Sequence, residues 1–381
     1  MKRIAIVHDY FTQQGGAERV AEQLHSMLPS ADVFATVALE DQLPAGLKKT
    51  EVQTSWMQSL PGMKKLHRYY FALYPFGVGS LDLSDYDVVI TSSSGYAKGV
   101  KTRRETLHIC YCHTPMRWAW RYQDYASREK FGALARLALP VLLHGLRQWD
   151  MNASRQPDQF VANSQVVAER IQDIYGRHAV VIPPPIDVSR FSIGDKQEDY
   201  YLVLSRLVPY KRIDLAVEAC NLLKRRLVIV GDGPDRKRLQ AMAGPTVQFM
   251  GRLPDAEISQ YAGGCRALIF PGEEDFGMVP LEIAASGRPT VAFRAGGATE
   301  TVIERVTGTF FNDPDAHSLA AAIEELERHT WDPAKLRSHA ITFDVQAFRR
   351  QFMGLLRSLG INIPSPVVAI DQYKPLQRMA G

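Results

Sequence analysis

Short apolar runs that alternate with glycine turns and amphipathic stretches constrain this fold more than any other feature of the sequence. The run at residues 4–7 is followed by a loop that contains Gly15 and Gly16, and then by a stretch predicted to be helical, 17–28. This order is typical of βα units, whose strands pair in parallel. Further strands are predicted at 33–37, 88–91, 107–111 and 159–162 in the first half, and at 201–204, 226–230, 247–250, 267–270 and 290–293 in the second.

A proline-rich segment divides the chain. At roughly 150 residues per domain, 381 residues predict two to three domains. Three consecutive prolines at 183–185 cannot continue a strand or a helix, so we place the linker at 182–187. The sequence therefore predicts an α/β fold with two Rossmann-like, doubly wound domains, 1–185 and 186–345, which face an interdomain cleft. A C-terminal helix and tail follow at 346–381, and the tail at 364–381 is either poorly ordered or packed back on the first domain.

Composition excludes several classes of protein. The formal net charge is only +4, from 45 Lys and Arg against 41 Asp and Glu, which is too small for a dedicated nucleic-acid binder. The four cysteines include no Cys-x-x-Cys pair, which favours a reduced, cytoplasmic protein without a zinc site. The N-terminus reaches a polar pair after four apolar residues, too few for a signal peptide. The longest apolar stretch, 131–146, is interrupted by two polar residues, so it predicts a buried or interfacial helix and at most peripheral membrane contact.

An acidic loop after a predicted strand is the densest group of candidate functional residues. Glu274 lies in this loop, and Glu282 lies about one turn inside a helix that begins near Pro280. Unpaired NH groups at the start of such a helix suit a diphosphate or a sugar hydroxyl, so both glutamates are candidates for one ligand site. The alternative is a capping acid and a solvated glutamate without a ligand.

Two further turns follow strands of the second domain. Arg206 and Lys211 follow the strand at 201–204, where fixed cations can neutralise a leaving diphosphate as a metal ion does elsewhere. A solvated basic turn is the alternative. Gly231 and Gly233 lie in a turn where the backbone could approach a nucleotide, but any tight turn uses such residues.

Taken together, these motifs resemble a known family. Arg206 to Lys211, Gly231 to Pro234, 249–253, Glu274 to Glu282 and 296–300 follow one another as in the donor-binding half of retaining glycosyltransferases of family 4. The first half is similar too, through Gly15-Gly16-Ala17-Glu18 and through His113 in Cys-His-Thr-Pro. The resemblance covers about residues 1–345 and is closest to the mannosyltransferase branch that builds lipopolysaccharide O-antigens and exopolysaccharides.

This resemblance implies a GT-B architecture, with an acceptor-binding first domain and a second domain that binds a nucleotide sugar. It implies that Arg206 and Lys211 hold the donor diphosphate, that Glu282 holds the ribose, and that Glu274 holds hydroxyls of the transferred sugar. His113 would contact the sugar near its reacting carbon. The remaining implied donor contacts are Gly15 and Gly16, Gly231 and Gly233, Arg252 and Leu253 beside the base, and the backbone of Phe276, Gly277 and Met278.

The reaction expected from this resemblance is retaining transfer of a hexose, with mannose from GDP-mannose favoured, in bacterial polysaccharide biosynthesis. No metal or other cofactor is expected, and no covalent nucleophile is evident; the glutamates suit binding better than the paired carboxylates of glycoside hydrolysis. Two alternatives stay open: a UDP-sugar such as UDP-glucose as donor, or a non-catalytic nucleotide-sugar binding module.

A segment rich in aromatic and basic residues, 55–76, is the candidate acceptor-side surface. It would rest peripherally on an anionic membrane, at the inner face of the plasma membrane, or form a core helix with a basic outer face. Arg103, Arg104, Arg117 and Arg121 extend this positive region. A saccharide linked to a polyprenyl diphosphate would be a suitable acceptor for these cations, and another saccharide is the alternative.

Overall fold

Two parallel sheets form the framework of the molecule. The computed structural model describes residues 2–122, 133–194 and 196–361. Seven strands form the first sheet: β1 (Ile4–His8), β2 (Asp32–Ala35), β3 (Val52–Thr54), β4 (Val88–Ser93), β5 (Leu107–Cys112), β6 (Gln159–Ala162) and β7 (Ala179–Val181). Six form the second: β8 (Tyr201–Leu204), β9 (Leu227–Val230), β10 (Val247–Gly251), β11 (Ala267–Phe270), β12 (Thr290–Phe293) and β13 (Gly308–Phe311).

The strand order in each sheet reverses beside its first strand. The orders are β3-β2-β1-β4-β5-β6-β7 and β10-β9-β8-β11-β12-β13. The chain therefore moves outward in one direction from β1 or β8, then returns and continues on the other side through β4 or β11. Ligands of doubly wound sheets bind beyond the carboxyl ends of the strands at this reversal. The predicted pair of doubly wound α/β domains is confirmed.

Helices connect the strands. In the first half they are α1 (Gly16–Met27), α2 (Met63–Leu66), α3 (Tyr74–Val78), α4 (Arg117–Trp120), α5 (Ala133–Ala153) and α6 (Gln165–Tyr175). In the second half they are α7 (Ile213–Leu223), α8 (Arg236–Met242), α9 (Asp255–Gly264), α10 (Met278–Ala285), α11 (Ala298–Thr301), α12 (Ala316–Glu327), α13 (Pro333–Ile341) and α14 (Val345–Ser358). Buried aliphatic side chains from both faces of each sheet pack against these helices and form the cores.

The C-terminal helix α14 returns to the first domain. Its Phe348, Phe352 and Leu356 are buried in the same cluster as Ile6 and Ile90 of the first sheet. The chain thus crosses between the domains twice, and the crossings lie side by side: Ile186 donates its backbone NH to Phe343, and Val345 donates to Ile186 (3.0 and 3.2 Å). The tail at 364–381 lies outside the described residues.

The segment 55–76 does not form the single helix considered as one alternative. Short helical turns at Trp56–Ser59, α2, His67–Tyr70 and α3 replace it. Pro61 and Gly62, the latter at a φ of +64°, interrupt the path. Met63 and Tyr74 are buried, whereas Tyr69 and Phe76 are exposed.

Helix α5 covers the described part of the apolar stretch at 131–146. Leu143 and Leu146 are buried and Val141 is exposed, so one face packs on the domain. Within the described residues, none of the helices has the length and apolar character needed to cross a bilayer.

Candidate functional site between the domains

The glycine loop after β1 faces the start of α10 across the cleft. A Cβ atom placed on Gly16 would lie 2.8 Å from Sδ of Met278, so the backbone of Gly16 lies close to this side chain. Gly277 precedes the helix at a φ of +88°, a conformation that glycine adopts at little cost. Both features follow strands at the reversal points of their sheets. The site therefore lies where the fold predicts a ligand crevice.

The two candidate glutamates are held by different cations. Glu274 forms an ion pair with Lys211 inside the second domain, and both side chains are largely buried. Glu282 accepts a hydrogen bond from Nη1 of Arg19, at 2.8 Å, and Arg19 belongs to α1 of the first domain. The structure thus brings two of the predicted site residues, Lys211 and Glu274, together, and it adds Arg19, which sequence reasoning missed.

Arg206 also reaches across the cleft. Its Nη1 donates to Oε1 of Gln13 at 2.9 Å, and its Nη2 donates to the hydroxyl of Tyr210 at 3.3 Å. Gln13 lies two residues before Gly15. The planar guanidinium is therefore placed beside the glycine loop, at the edge of the same crevice.

Close backbone approaches fix the acidic loop. Gly297 donates its NH to the carbonyl of Glu274 at 2.8 Å, and a Cβ on Gly296 would lie 2.2 Å from that oxygen. A Cβ on Gly272 would lie 2.8 Å from the backbone of Lys211. Phe276 is buried in the domain core. These contacts hold the 274–276 loop against the basic turn.

Other residues that are predicted to contact the donor also make contacts within the protein. A Cβ on Gly231 would lie 1.9 Å from the carbonyl oxygen of Ser205, and one on Gly233 would lie 2.2 Å from that of Leu207. Both glycines thus permit the turn after β9 to pack on the turn after β8. Arg252 is exposed, and Leu253 is half-buried against the core. Their roles toward a donor stay predictions.

His113 follows β5 and is almost completely buried. Its Nε2 lies 2.8 Å from Oγ of Ser92, which lies 3.0 Å from Nδ1 of His8. Burial, assisted by His8, lowers the pKa of His113 to about 3. The imidazole is therefore neutral near pH 7, and it can donate a hydrogen bond to a neutral ligand or accept one from it.

Sequence reasoning missed a group of ion pairs that joins the domains. Arg121 binds Glu273 through two nitrogens at 2.5 and 3.1 Å, and Arg170 binds both Glu273 and Asp275. Arg117 lies 3.7 Å from Asp275. The hydrogen bond from Arg121, with the charges of Arg170 and Arg117, lowers the pKa of Glu273. Arg117 and Arg121, expected to extend an acceptor surface, instead neutralise carboxylates of the second domain.

A second interdomain contact involves a helix terminus. Glu300 accepts hydrogen bonds from the backbone NH groups of Gln165 and Val166, at 2.8 and 3.1 Å. These are unpaired donors at the start of α6, where a carboxylate is favourable. Glu273, Asp275 and Glu300 thus contact basic side chains or backbone NH groups of the first domain.

Within residues 2–122, 133–194 and 196–361, no three His, Cys, Asp or Glu side chains are placed to hold a metal ion. The positive charges identified in the crevice belong to lysine and arginine side chains. These side chains can supply fixed positive charge for an anionic ligand in this position.

Two doubly wound domains with a charged crevice between their switch points define the GT-B architecture. The structure of HepE from Anabaena in complex with UDP has this fold, with a TM-score of 0.67 at 18% identity over 93% of this chain and 100% of that one. Residues 14–190 match the model of Glycosyltransferase Family 4, and residues 186–342 match that of Glycosyl transferases group 1. Each half of the chain is therefore similar to one domain of known glycosyltransferases.

Two relatives with similar sequences have different activities. One is a GDP-mannose-dependent α-(1-6)-phosphatidylinositol monomannoside mannosyltransferase of Mycolicibacterium smegmatis, 31% identical over 49% of this chain and 56% of the relative. The other is a D-inositol 3-phosphate glycosyltransferase of Geodermatophilus obscurus, 31% identical over 49% of this chain and 50% of the relative. The chain thus spans about half the length of the curated relatives it matches.

Proposed function

We propose that this protein transfers a hexose, mannose from GDP-mannose, to a saccharide acceptor with retention of configuration. The observation that carries the proposal is the glycine loop at Gly15 and Gly16 lying against the start of α10, with Arg206, Lys211 and two glutamates around the same crevice. This arrangement suits a nucleotide diphosphate whose sugar lies between the domains.

The chemical demand of this reaction is charge on the departing diphosphate. Lys211 and Arg206 stabilise that charge as the bond from the sugar to the phosphate breaks, a contribution that is often the largest in such catalysis. Glu274 accepts hydrogen bonds from sugar hydroxyls, and Glu282 accepts them from the ribose. With these two cations the proposed reaction requires no metal ion.

Retention is proposed to follow from attack on the front face of the sugar. The acceptor oxygen forms its bond to the anomeric carbon on the side from which the diphosphate leaves, and a phosphate oxygen takes the acceptor's proton. No covalent sugar intermediate is required, so neither glutamate has to act as a nucleophile. Both glutamates then keep their binding roles throughout the reaction.

The preference for guanine rests on the resemblance and on the GDP-mannose-dependent relative. A specific observation favours the second candidate donor, a UDP-sugar: the structural neighbour from Anabaena holds UDP. The two donors share the diphosphate and the ribose and differ at the base and, for UDP-glucose, at C2 of the hexose. Arg252 and Leu253 are the proposed neighbours of that base.

The proposed acceptor is a saccharide linked to a polyprenyl diphosphate, reached at the inner face of the plasma membrane. Exposed Tyr69 and Phe76 and the cations Lys64, Lys65 and Arg68 support peripheral contact through residues 55–76. Replacing the three cations by serine should weaken binding to vesicles that contain anionic lipid without changing the affinity for nucleotide. Equal vesicle binding by the variant would remove this segment from the proposal.

Calorimetric titration of the whole chain with GDP, UDP, GDP-mannose and UDP-glucose, without added metal, tests the donor. Tighter binding of GDP and GDP-mannose supports the proposal, and tighter binding of the uridine compounds moves it to the second donor. Glu282→Gln should weaken every nucleotide that binds, whereas Glu257→Gln, on the exposed face of α9, serves as the matched control. Binding of none of the four would overturn both donor assignments.

A further inference from the structure

Glu274 is held by its own domain, whereas both of its neighbours in the chain are held by the first domain. The carbonyl oxygen of Glu274 accepts the NH of Gly297, and its carboxylate pairs with Lys211. The carboxylates of Glu273 and Asp275 pair instead with arginines of the first domain. The domain that supplies the contact therefore changes at each successive residue of the segment 273–275.

An extended backbone explains this alternation. Glu274 forms an isolated parallel bridge with the loop after β12, and consecutive side chains of such a backbone point in opposite directions. The backbone carbonyls alternate in the same way. That of Glu273 lies 3.3 Å from Nη2 of Arg117, and that of Asp275 lies 2.6 Å from the hydroxyl of Ser164. The first domain thus binds both neighbours of Glu274 through their side chains and through their backbone.

Helix α6 contacts the segment on both sides of Glu274. Ser164 is the N-cap of this helix, and Arg170 lies within it. The guanidinium of Arg170 binds Glu273, at 2.8 Å, and also Asp275, so one side chain bridges the two neighbours. The side chain of Arg170 is largely buried between the domains. Its position therefore limits where the residue between its two partners can lie.

The charges of the segment require such a bridge. Three consecutive carboxylates repel one another unless cations lie beside them. The hydrogen bond from Arg121, with the charges of nearby arginines, lowers the pKa of Glu273, so this neighbour of Glu274 is ionised at neutral pH. A planar guanidinium can donate to two carboxylates at once, whereas a lysine ammonium is a compact point charge. Arg170 is therefore suited to hold both neighbours in one fixed geometry.

We propose that Arg170 is a positioning residue: from the first domain it holds both neighbours of Glu274, so that the carboxylate of Glu274 is presented to hydroxyls of the donor sugar. Ser164 supports the same segment through the backbone. This inference rests on the proposed function for the identity of the ligand. It makes the sugar site of the second domain depend on a helix of the first.

Hydrogen exchange of the whole chain, without ligand, tests the positioning. The NH of Gly297 is bonded to the carbonyl of Glu274, so a peptide that contains Gly297 reports how firmly the segment is held. Arg170→Met should increase this exchange rate about tenfold, and Arg170→Lys should have a smaller effect because it keeps the charge. An unchanged rate in Arg170→Met would overturn the inference, whether or not the protein binds a nucleotide.

Kinetics and calorimetry test the consequence for the sugar. With GDP-mannose as donor, Arg170→Met should lower kcat about 100-fold and change the dissociation constant of GDP by no more than about twofold, because only the sugar contact is misplaced. An unchanged kcat, or a loss of GDP affinity as large as the loss of rate, would refute the positioning role. If none of the nucleotides binds, the proposed function fails, while the exchange rate still tests how the segment is held.

The matched control is an arginine just beyond the same helix. Arg177 follows α6, and its guanidinium donates to the carbonyls of Ser154 and Pro157, at 3.0 and 2.7 Å, inside the first domain. Arg177→Met should leave both the exchange of the Gly297 peptide and kcat unchanged. An equal effect of this variant would overturn the proposal in favour of a general loosening of α6.

A second variant removes the same ion pairs from the other side. Glu273→Gln/Asp275→Asn keeps the arginine and removes its partners, so it gives the same test if Arg170→Met does not fold. It should also speed exchange of the Gly297 peptide and lower kcat. Adding Arg170→Met to it should have little further effect, because the three side chains act through one set of contacts. Fully additive losses in the triple variant would contradict the proposed bridge.

Discussion

At the scale of single residues, the two glutamates of the crevice differ in the cation that a bound ligand would have to displace. Glu274 is paired within its own domain with Lys211, and Glu282 is paired with Arg19 of the other domain. A ligand that binds Glu282 therefore replaces an interdomain contact. A ligand hydroxyl on Glu274 can bind beside the lysine, which in the proposed reaction also binds the diphosphate.

This difference predicts separable effects of substitution. Glu282→Ala should raise the dissociation constant of the nucleotide about 10- to 100-fold, the range expected for hydrogen bonds to a charged group. Glu274→Ala should abolish transfer and leave the dissociation constant of the nucleotide nearly unchanged. Calorimetry and steady-state rates measure the two quantities, and parallel losses of both in the two variants would contradict the division of roles.

Buried neutral histidines predict sensitivity to acid. Burial lowers the pKa of His108 to about 3, below the ordinary value of about 6.5. The unfolded chain therefore binds this proton more tightly, so the free energy of unfolding falls as the pH drops below about 6.5, by at most about 1.4 kcal/mol per pH unit for one histidine. Urea unfolding between pH 5 and 8 should show a shallower decline in His108→Leu, and identical slopes would refute the prediction.

The contacts of single residues also differ in how far the sequence predicts them. Lys211 and Glu274 could be expected together because each follows a strand at the reversal point of one sheet. The contacts of Ser92 with His8 and His113 could not be expected, because they depend on the register between β1 and β4, which local patterns do not determine. Arg19 and Arg170 are single charges on helices, and only the placement of the domains gives them partners.

At the scale of elements, a buried ion pair holds three helices in place. Lys98 and Asp150 are both fully buried at 2.5 Å, and Asp150 also accepts hydrogen bonds from Nε1 of Trp120 and the hydroxyl of Tyr175. Burial lowers the pKa of Lys98, but the charge of Asp150 outweighs it and the net pKa is raised. Trp120 and Tyr175 are the last residues of α4 and α6, and Asp150 lies in the last turn of α5, so this pair orients helices that carry Arg117 and Arg170.

A double-mutant cycle tests the importance of this pair. Lys98→Met should lower the free energy of unfolding by about 3–5 kcal/mol, because it leaves a buried charge without its partner. The double variant Lys98→Met/Asp150→Asn should lose less than the sum of the single variants. Chemical denaturation measures these values, and strict additivity would show that the two charges do not interact.

Three of the four edge strands were not predicted from the sequence, whereas the fourth, β10, was. β3 and β7 have three residues each and are partly exposed, so neither contains the apolar run that identifies a central strand. β13, with the sequence Gly-Thr-Phe-Phe, is fully buried but half of its residues are not apolar. The central strands were all predicted, because burial on both faces requires continuous apolar side chains.

At the scale of the whole molecule, charge complementarity closes the cleft. Three arginines of the first domain face Glu273 and Asp275, and the first domain's Arg19 faces Glu282. These pairs are only partly buried, so dissolved salt should weaken them; the screening length falls to about 3 Å at 1 M. The relative position of the domains should therefore depend on ionic strength.

Small-angle X-ray scattering checks this expectation. The radius of gyration should increase between 0.05 and 1 M KCl, and Glu273→Gln/Asp275→Asn should show the larger value already at low salt. The control is Glu304→Gln, which removes a surface ion pair with Arg294 inside the second domain. A radius that is independent of salt in the wild type would show that the pairs do not control closure.

The two adjacent crossings between the domains have a consequence for how such a protein can be altered. Because Ile186 is hydrogen-bonded to Phe343 and Val345, the chain enters and leaves the second domain at one place. The second domain can therefore be exchanged as a unit, since inserted domains whose ends lie close together are tolerated without new linkers. A foreign second domain could be exchanged at these two neighbouring crossings while the first domain keeps its own C-terminal helix α14. If the proposed donor and acceptor sites are correct, such an exchange would combine a new sugar with the existing acceptor.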